Sequence, residues 1–140
     1  MKQMICTFFG LIGSVIATAL GGWDQGLATL LTFMGSDYGS GIIVAAVFHK
    51  SSKTINGTLE SKTCFKGLVK KCMVLVYVLV AYRLDIVIGT SYIRDAVIIA
   101  FMVNELISLT ENLGLMGVPL PPVITKAIDI LQKKSESEGE

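Results

Sequence analysis

The chain alternates long stretches without charge and short polar connections, and the stretches approach the length a bilayer requires. A helix needs about 20 mostly apolar residues to cross the hydrocarbon layer. Residues 4–22 carry no charge, and Trp23 follows them as an interfacial anchor. Residues 26–48 are apolar apart from Asp37. A third uncharged run begins at Cys72 and ends at Tyr82, and it extends to Ile88 if Arg83 and Asp85 snorkel to the far surface. A fourth stretch, 93–110, is interrupted by Arg94, Asp95 and Glu105. Hydropathy alone therefore predicts three spans, at about 4–22, 26–48 and 68–88, and leaves the fourth conditional.

The first segment has two readings. Lys2, the apolar run and Ala17-Thr18-Ala19 have the form of a secretory signal peptide with a small-residue cleavage site. Against cleavage, the uncharged run exceeds a typical signal core, and more spans follow. Gly10, Gly13, Ala17 and Gly21 also fall on one helical face, a small-residue stripe of the kind used where membrane helices approach closely. A retained first span is the expectation.

Charge placement orients the spans and argues for the fourth. Lys50, Lys53, Lys62, Lys66, Lys70 and Lys71 lie between His49 and Cys72, against the single acid Glu60. The positive-inside rule puts this basic loop in the cytoplasm. Trp23-Asp24-Gln25 and Gly89-Thr90-Ser91 then lie outside, and Lys2 lies inside. A fourth crossing returns Lys126, Lys133 and Lys134 to the cytoplasm, whereas three crossings strand them outside. The expected fold is an all-α integral membrane protein with four transmembrane helices, the fourth amphipathic, plus a short C-terminal amphipathic helix. Both termini are cytoplasmic.

The C-terminal part reads as a separate element. Gly114, Gly117, Pro119 and Pro121 break the fourth helix, and Pro122 can open another, since proline is tolerated in a first turn. Val123, Ile124, Ala127, Ile128 and Leu131 recur at helical spacing, with Lys126, Asp129, Gln132 and Lys133 elsewhere around the wheel. That predicts an amphipathic segment of about 12 residues, suited to a membrane surface or a partner subunit. The organisation is thus a transmembrane region 1–112, a Pro/Gly linker and amphipathic helix 113–134, and a polar acidic tail 135–140 expected to be disordered.

Polar groups inside the predicted spans are the candidate functional residues. A carboxylate at the middle of a span, as at Asp37, costs about 2.5–3.5 kcal/mol on an insertion scale. Asp37 either fixes helix packing or faces water or another subunit, as a trigger whose protonation affects assembly. Ala28, Thr32, Ser36 and Ser40 run along the same helix at four-residue spacing, and Gly41 also allows close helix approach. In the fourth segment, with Arg94 at zero, Glu105 falls near about +20°, Ser108 near about −40° and Asn112 near about 0°, while Asn104 and Glu111 widen the sector. This stripe either docks inside a bundle or lines water shared with other copies. A four-span monomer looks too small to hide it, so homo-oligomers are expected.

Composition narrows the function classes. The 140 residues are 52% hydrophobic and 16% charged, with a mean hydropathy of +0.66, where a soluble domain carries roughly 25% charge. A net charge of +1 without an aromatic-interleaved basic surface argues against nucleic-acid binding. Cys6, Cys64 and Cys72 form no disulfide framework or zinc site, and read as small apolar fillers. The single histidine, His49, sits among lysines, and no H-E-x-x-H, P-loop or dinucleotide motif occurs. No catalytic residue, metal or cofactor is expected.

Several local patterns occur together: Asp37-Tyr38-x-x-Gly41; Ser61-Lys62 followed by Lys66-Gly67-x-x-Lys70-Lys71; Asn104-Glu105 with Ser108-Leu109-x-Glu111-Asn112; and Gly117-Val118-Pro119-Leu120-Pro121. In this order and spacing the chain resembles the toxin secretion/phage lysis holin family over nearly its whole length. The first span is matched by hydrophobicity alone. The resemblance implies a protein of the bacterial cytoplasmic membrane that assembles into homo-oligomeric pores or lesions. The cargo it implies is an endolysin or a large protein toxin. A non-conducting antiholin-like regulator or structural membrane subunit is the alternative. A transporter built on inverted repeats fits poorly, because Gly-rich interruption occurs only in the first half.

Overall fold

The computed structural model describes residues 1–139 and contains five α-helices and a π-helical turn. Helix α1 covers Lys2–Ala19 and α2 covers Gln25–Ile43, continued by the π-helical Val44–Phe48. Helix α3 is Ser61–Ile88, α4 is Ile93–Leu115 and α5 is Pro122–Glu138. Local chemistry accounts for their ends. The Gly22 N–H donates to Ala17 and the Gly21 N–H to Thr18, with both glycines at φ 95°. This paired pattern is a Schellman stop, which needs a left-handed residue that glycine supplies without strain. The same pattern ends α4, where Gly117 at φ 83° donates to Gly114 and Val118 donates to Leu113. Asp24 opens α2 by accepting from the Leu27 N–H at 2.9 Å. Pro122 opens α5.

Helix α4 is the centre of the molecule, packing against α2, α3 and α5. The core consists of Leu20, Leu27, Leu30, Met34, Val78, Ile98 and Met102, all nearly inaccessible. Outward, α3 shows Met73, Val76, Tyr77, Val80 and Leu84. An apolar exterior over a partly polar interior is the arrangement a bilayer favours over water. Helix α1 stands apart, with no buried residue along its length.

Two expectations change. The helices long and apolar enough to cross a membrane are Lys2–Ala19, Gln25–Phe48 and Ile93–Leu115. The conditional fourth segment is thus among them, while α3, expected on hydropathy, is not. The reason is charge: the part of α3 from Lys71 to Ile88 holds Lys71, Arg83 and Asp85. The C-terminal helix also runs 17 residues to Glu138, through Ser135–Glu138 where disorder was expected.

Candidate functional site

Two polar clusters lie inside the bundle, one at each end of α4. The first forms around Lys71, whose Nζ donates to Asp37 Oδ2 at 2.7 Å and to Glu105 Oε2 at 2.5 Å. Asn112 Nδ2 donates to Asp37 Oδ1 at 3.0 Å, to the Asp37 carbonyl at 3.1 Å and to Ser40 Oγ at 3.0 Å. Asp37 and Glu105 are only 3% and 5% exposed, so the lysine is their chief compensation. One ammonium balances one of the two carboxylates. Replacing water around such groups is costly, and the group persists because nearly every oxygen has a donor. Helix geometry brings it together: Glu105 and Asn112 sit two turns apart on one face of α4, opposite Asp37 and Ser40 on α2.

A crevice of about 240 Å³ leads to this cluster from the end bearing the basic connection, between Lys53, Glu60 and Lys70. Tyr38 at its wall donates from its hydroxyl to the Cys64 carbonyl at 3.1 Å, fastening the start of α3 to α2. Among the described residues, no group of three or more His, Cys, Asp or Glu is placed to hold a metal ion.

The second cluster closes the other end of the bundle. Arg94 donates from Nη1 to Asp24 Oδ2 at 2.6 Å, from Nε to the Leu20 carbonyl at 2.5 Å, and from Nη2 to the Gly22 carbonyl at 3.0 Å. Arg94 thereby saturates the end of α1 and the cap of α2 from the first turn of α4. Burial alone would raise the Asp24 carboxyl. The bond from Arg94, the Leu27 N–H and the Arg94 charge together hold it below the ordinary 3.8. From α3, Asp85 accepts the Ile93 N–H at 3.0 Å, the Arg94 N–H at 2.9 Å and the Thr90 hydroxyl at 2.6 Å. It therefore caps α4 although it belongs to the preceding helix, and its charge complements the helix N-terminus.

The residues singled out from the sequence divide accordingly. Arg94, Glu105 and Asn112 are buried in inter-helix contacts, Ser108 is half-buried, and Asn104 and Glu111 are exposed. Within one chain α2, α3 and the connection between α1 and α2 supply partners for Arg94, Glu105 and Asn112, while Asn104 and Glu111 stay exposed. Gly10 and Gly13 have no neighbour within 4 Å of an added Cβ, and Ala17 is half-buried. Gly21 belongs to the left-handed turn, where a Cβ would stand 2.5 Å from Arg94 Nε. Gly41 faces Asn112 Nδ2, 3.6 Å from the same construction. Among the described residues Lys50, Lys53, Lys62, Lys66 and Lys70 are not paired with a carboxylate, whereas Lys71, grouped with them by its position in sequence, turns inward.

Asp24, Asp85 and the inward role of Lys71 were not foreseen. Four acids and two bases fall within or beside predicted spans (Asp24, Asp37, Asp85, Glu105; Lys71, Arg94), and opposite charges at membrane depth signal pairing. Which acid meets which base depends on helix rotation.

The profile described as the bacteriophage holin family matches residues 14–133. An uncharacterised protein of Listeria innocua is 36% identical over 129 residues, covering 91% of this chain and 86% of that protein. An uncharacterised 14.9 kDa protein of Clostridium perfringens is 34% identical over 125 residues, 88% of this chain and 89% of its own. A protein of Bacillus phage phi105 named as a probable holin is 29% identical over 83 residues, 59% of this chain and 62% of its own. No solved structure matches the chain.

Proposed function

The chain belongs to the bacteriophage holin family, a family of non-enzymatic membrane proteins, and from that premise we propose that it is a working holin. It accumulates in the bacterial cytoplasmic membrane, assembles with further copies of itself, and opens lesions through which an endolysin or a large protein toxin leaves the cell. The family match over residues 14–133 carries this reading. The Bacillus phage relative, named as a probable holin, supports it.

The chain is a multi-pass membrane protein, and we assign it four crossings with both termini in the cytoplasm. Helix α3 is the fourth crossing. Two of its three inner charges, Lys71 and Asp85, are satisfied within the protein, and Arg83 alone is exposed. Paired charges within a bundle do not carry the cost of charges facing lipid. The basic connection 49–60 and the start of α3 then lie on the cytoplasmic side, and the Arg94 cluster on the other.

In this reading the two clusters hold the monomer in a closed, lipid-compatible form. The Lys71 group joins α2, α3 and α4, and Asp37 is its link to α2. Its rupture is the step that frees helices to exchange partners between copies.

Inducible expression in a bacterium, with a folded fluorescent protein in the cytosol, tests the reading. Abrupt release of the reporter after a lag supports it. Undisturbed growth at full membrane accumulation refutes it and favours an antiholin-like or structural subunit. Ion leakage without protein release refutes export of folded cargo.

A further inference from the structure

Helices α2 and α3 touch each other far less than either touches α4, and the crevice of about 240 Å³ occupies the gap between them. Its charges are unevenly placed. At the floor, Lys71 is engaged by Asp37 and Glu105. At the mouth, Lys53, Lys70 and Glu60 are exposed. Among the described residues neither of these two lysines is paired with a carboxylate. Glu60 accepts the Thr63 hydroxyl at 3.3 Å, within the start of α3. The mouth therefore holds two free ammonium groups against one carboxylate, whereas the floor holds one ammonium against two. An anion is favoured at the mouth and rejected by the floor.

Two further features describe the occupant. Thr54 lines the same space, and its Oγ1 is buried without a hydrogen-bond partner. A buried hydroxyl in that state is costly, and one rotamer step turns it toward an acceptor in the crevice. The walls between mouth and floor include Ile42, Ala45, Leu59 and Val74. A cationic, hydroxyl-bearing mouth beside an apolar wall matches a molecule that carries a phosphate and hydrocarbon together. We propose that the crevice binds an anionic phospholipid. Lys53, Lys70 and Thr54 hold its phosphodiester, and the start of an acyl chain lies along the apolar wall. A free phosphate shares the chemistry of the mouth but leaves that wall uncovered. Basic pockets between membrane helices on the cytoplasmic side suit lipid headgroups, and the cytoplasmic leaflet supplies anionic ones. The topology assigned above places the mouth at that leaflet. The inference takes only this placement from the proposed function and does not require that the chain open lesions. A bound lipid joins the 49–60 connection to α3 at the entrance to the inner cluster, and so favours the closed bundle by mass action.

The test titrates the full-length chain, in mild detergent micelles, with phosphatidylglycerol and separately with phosphatidylcholine of the same acyl chains. Native mass spectrometry counts the lipid retained. The expected result is retention of phosphatidylglycerol at concentrations about tenfold lower than phosphatidylcholine. Lys53→Gln combined with Lys70→Gln should abolish the preference. Lys62→Gln combined with Lys66→Gln removes equal charge from exposed positions outside the crevice and should preserve it. Equal retention of the two lipids by the wild-type chain would overturn the proposal. So would a preference that survives Lys53→Gln with Lys70→Gln, or one that falls equally in both double variants. Displacement of phosphatidylglycerol by an equal concentration of soluble glycerol phosphate would assign the mouth to free phosphate and overturn the lipid as occupant. None of these outcomes bears on reporter release from cells, which tests lesion formation separately.

Discussion

Removing the cation from the inner cluster is the most demanding perturbation of the fold. Lys71→Met keeps the length and apolar stem of the side chain but deletes two charge-assisted hydrogen bonds, at 2.7 and 2.5 Å. Bonds to charged groups contribute about 1.5–3 kcal/mol each, and breaking a buried pair costs about 3–5 kcal/mol. Asp37 keeps its 3.0 Å bond from Asn112, so its loss is partly offset. Among the described residues Glu105 has Lys71 as its hydrogen-bond donor, and it is 5% exposed. The expected cost is about 4 kcal/mol, roughly a thousandfold in the folding equilibrium. Reversible unfolding in mixed micelles, followed by helical circular dichroism, measures it. A companion variant carrying Lys71→Met, Asp37→Asn and Glu105→Gln should recover to within about 1.5 kcal/mol of wild type, because no uncompensated charge remains. A loss below about 1 kcal/mol in Lys71→Met would place the lysine in the surface-pair range and refute the closed-state latch. Absence of recovery in the triple variant would show that geometry, rather than charge balance, sets the cost.

Three further outcomes follow from the opposite end of the bundle. Asp85→Ala removes the acceptor for two backbone N–H groups at the start of α4; the expected loss is about 1–2 kcal/mol in the same unfolding assay. Gly21→Ala should cost at least about 1–2 kcal/mol, because φ is 95° and the new Cβ meets Arg94, whereas Gly13→Ala, with open space around it, should leave monomer stability unchanged. Asp24 is held below its ordinary 3.8, so its stabilising contribution is complete above that value and disappears as pH falls through the lower folded value. Acid titration of unfolding should therefore lose this component in Asp24→Asn, and superimposable wild-type and variant curves would exclude the linkage.

The helices were legible in the sequence because each has a physical marker that survives without tertiary information. Gly21-Gly22 and Gly117 stop helices, Pro122 starts one, and the uncharged runs set the lengths. The standing of α3 and α4 as spans was harder to read. Lys71 lies at the edge of an uncharged run and next to Lys70, so composition assigns both to the basic loop. Only rotation about α3 separates them, sending Lys71 toward Asp37 and leaving Lys70 at the crevice. Asp85 poses the same problem. Its position near a helix end implies snorkelling, while its burial and its cap on α4 depend on how the Gly89–Tyr92 connection folds back. Periodicity did find the polar face of α4, because all of its members lie on one helix. Their partners are on other helices or connections, which a one-helix wheel does not contain.

The saturated face of α4 also changes where the drive for assembly must come from. An unsatisfied polar stripe would pull copies together through hydrogen bonds, but Arg94, Glu105 and Asn112 already have partners inside one chain. In lipid, apolar exterior surface gives no hydrophobic gain on association, so close backbone contact and interhelical van der Waals packing take its place. Helix α1 is suited to that role: apart from the half-buried Ala17 its residues are exposed, and Gly10 and Gly13 keep one face of it low. On the holin reading proposed above, association through α1 would leave the two charge clusters undisturbed, so that copies accumulate in the closed form before a lesion opens. Leu at both glycines should then lower chemical cross-linking between copies in native membranes while leaving the unfolding midpoint of the monomer in place. A matched fall in both would instead assign α1 a seat within its own chain, and unchanged cross-linking would move the interface to another helix.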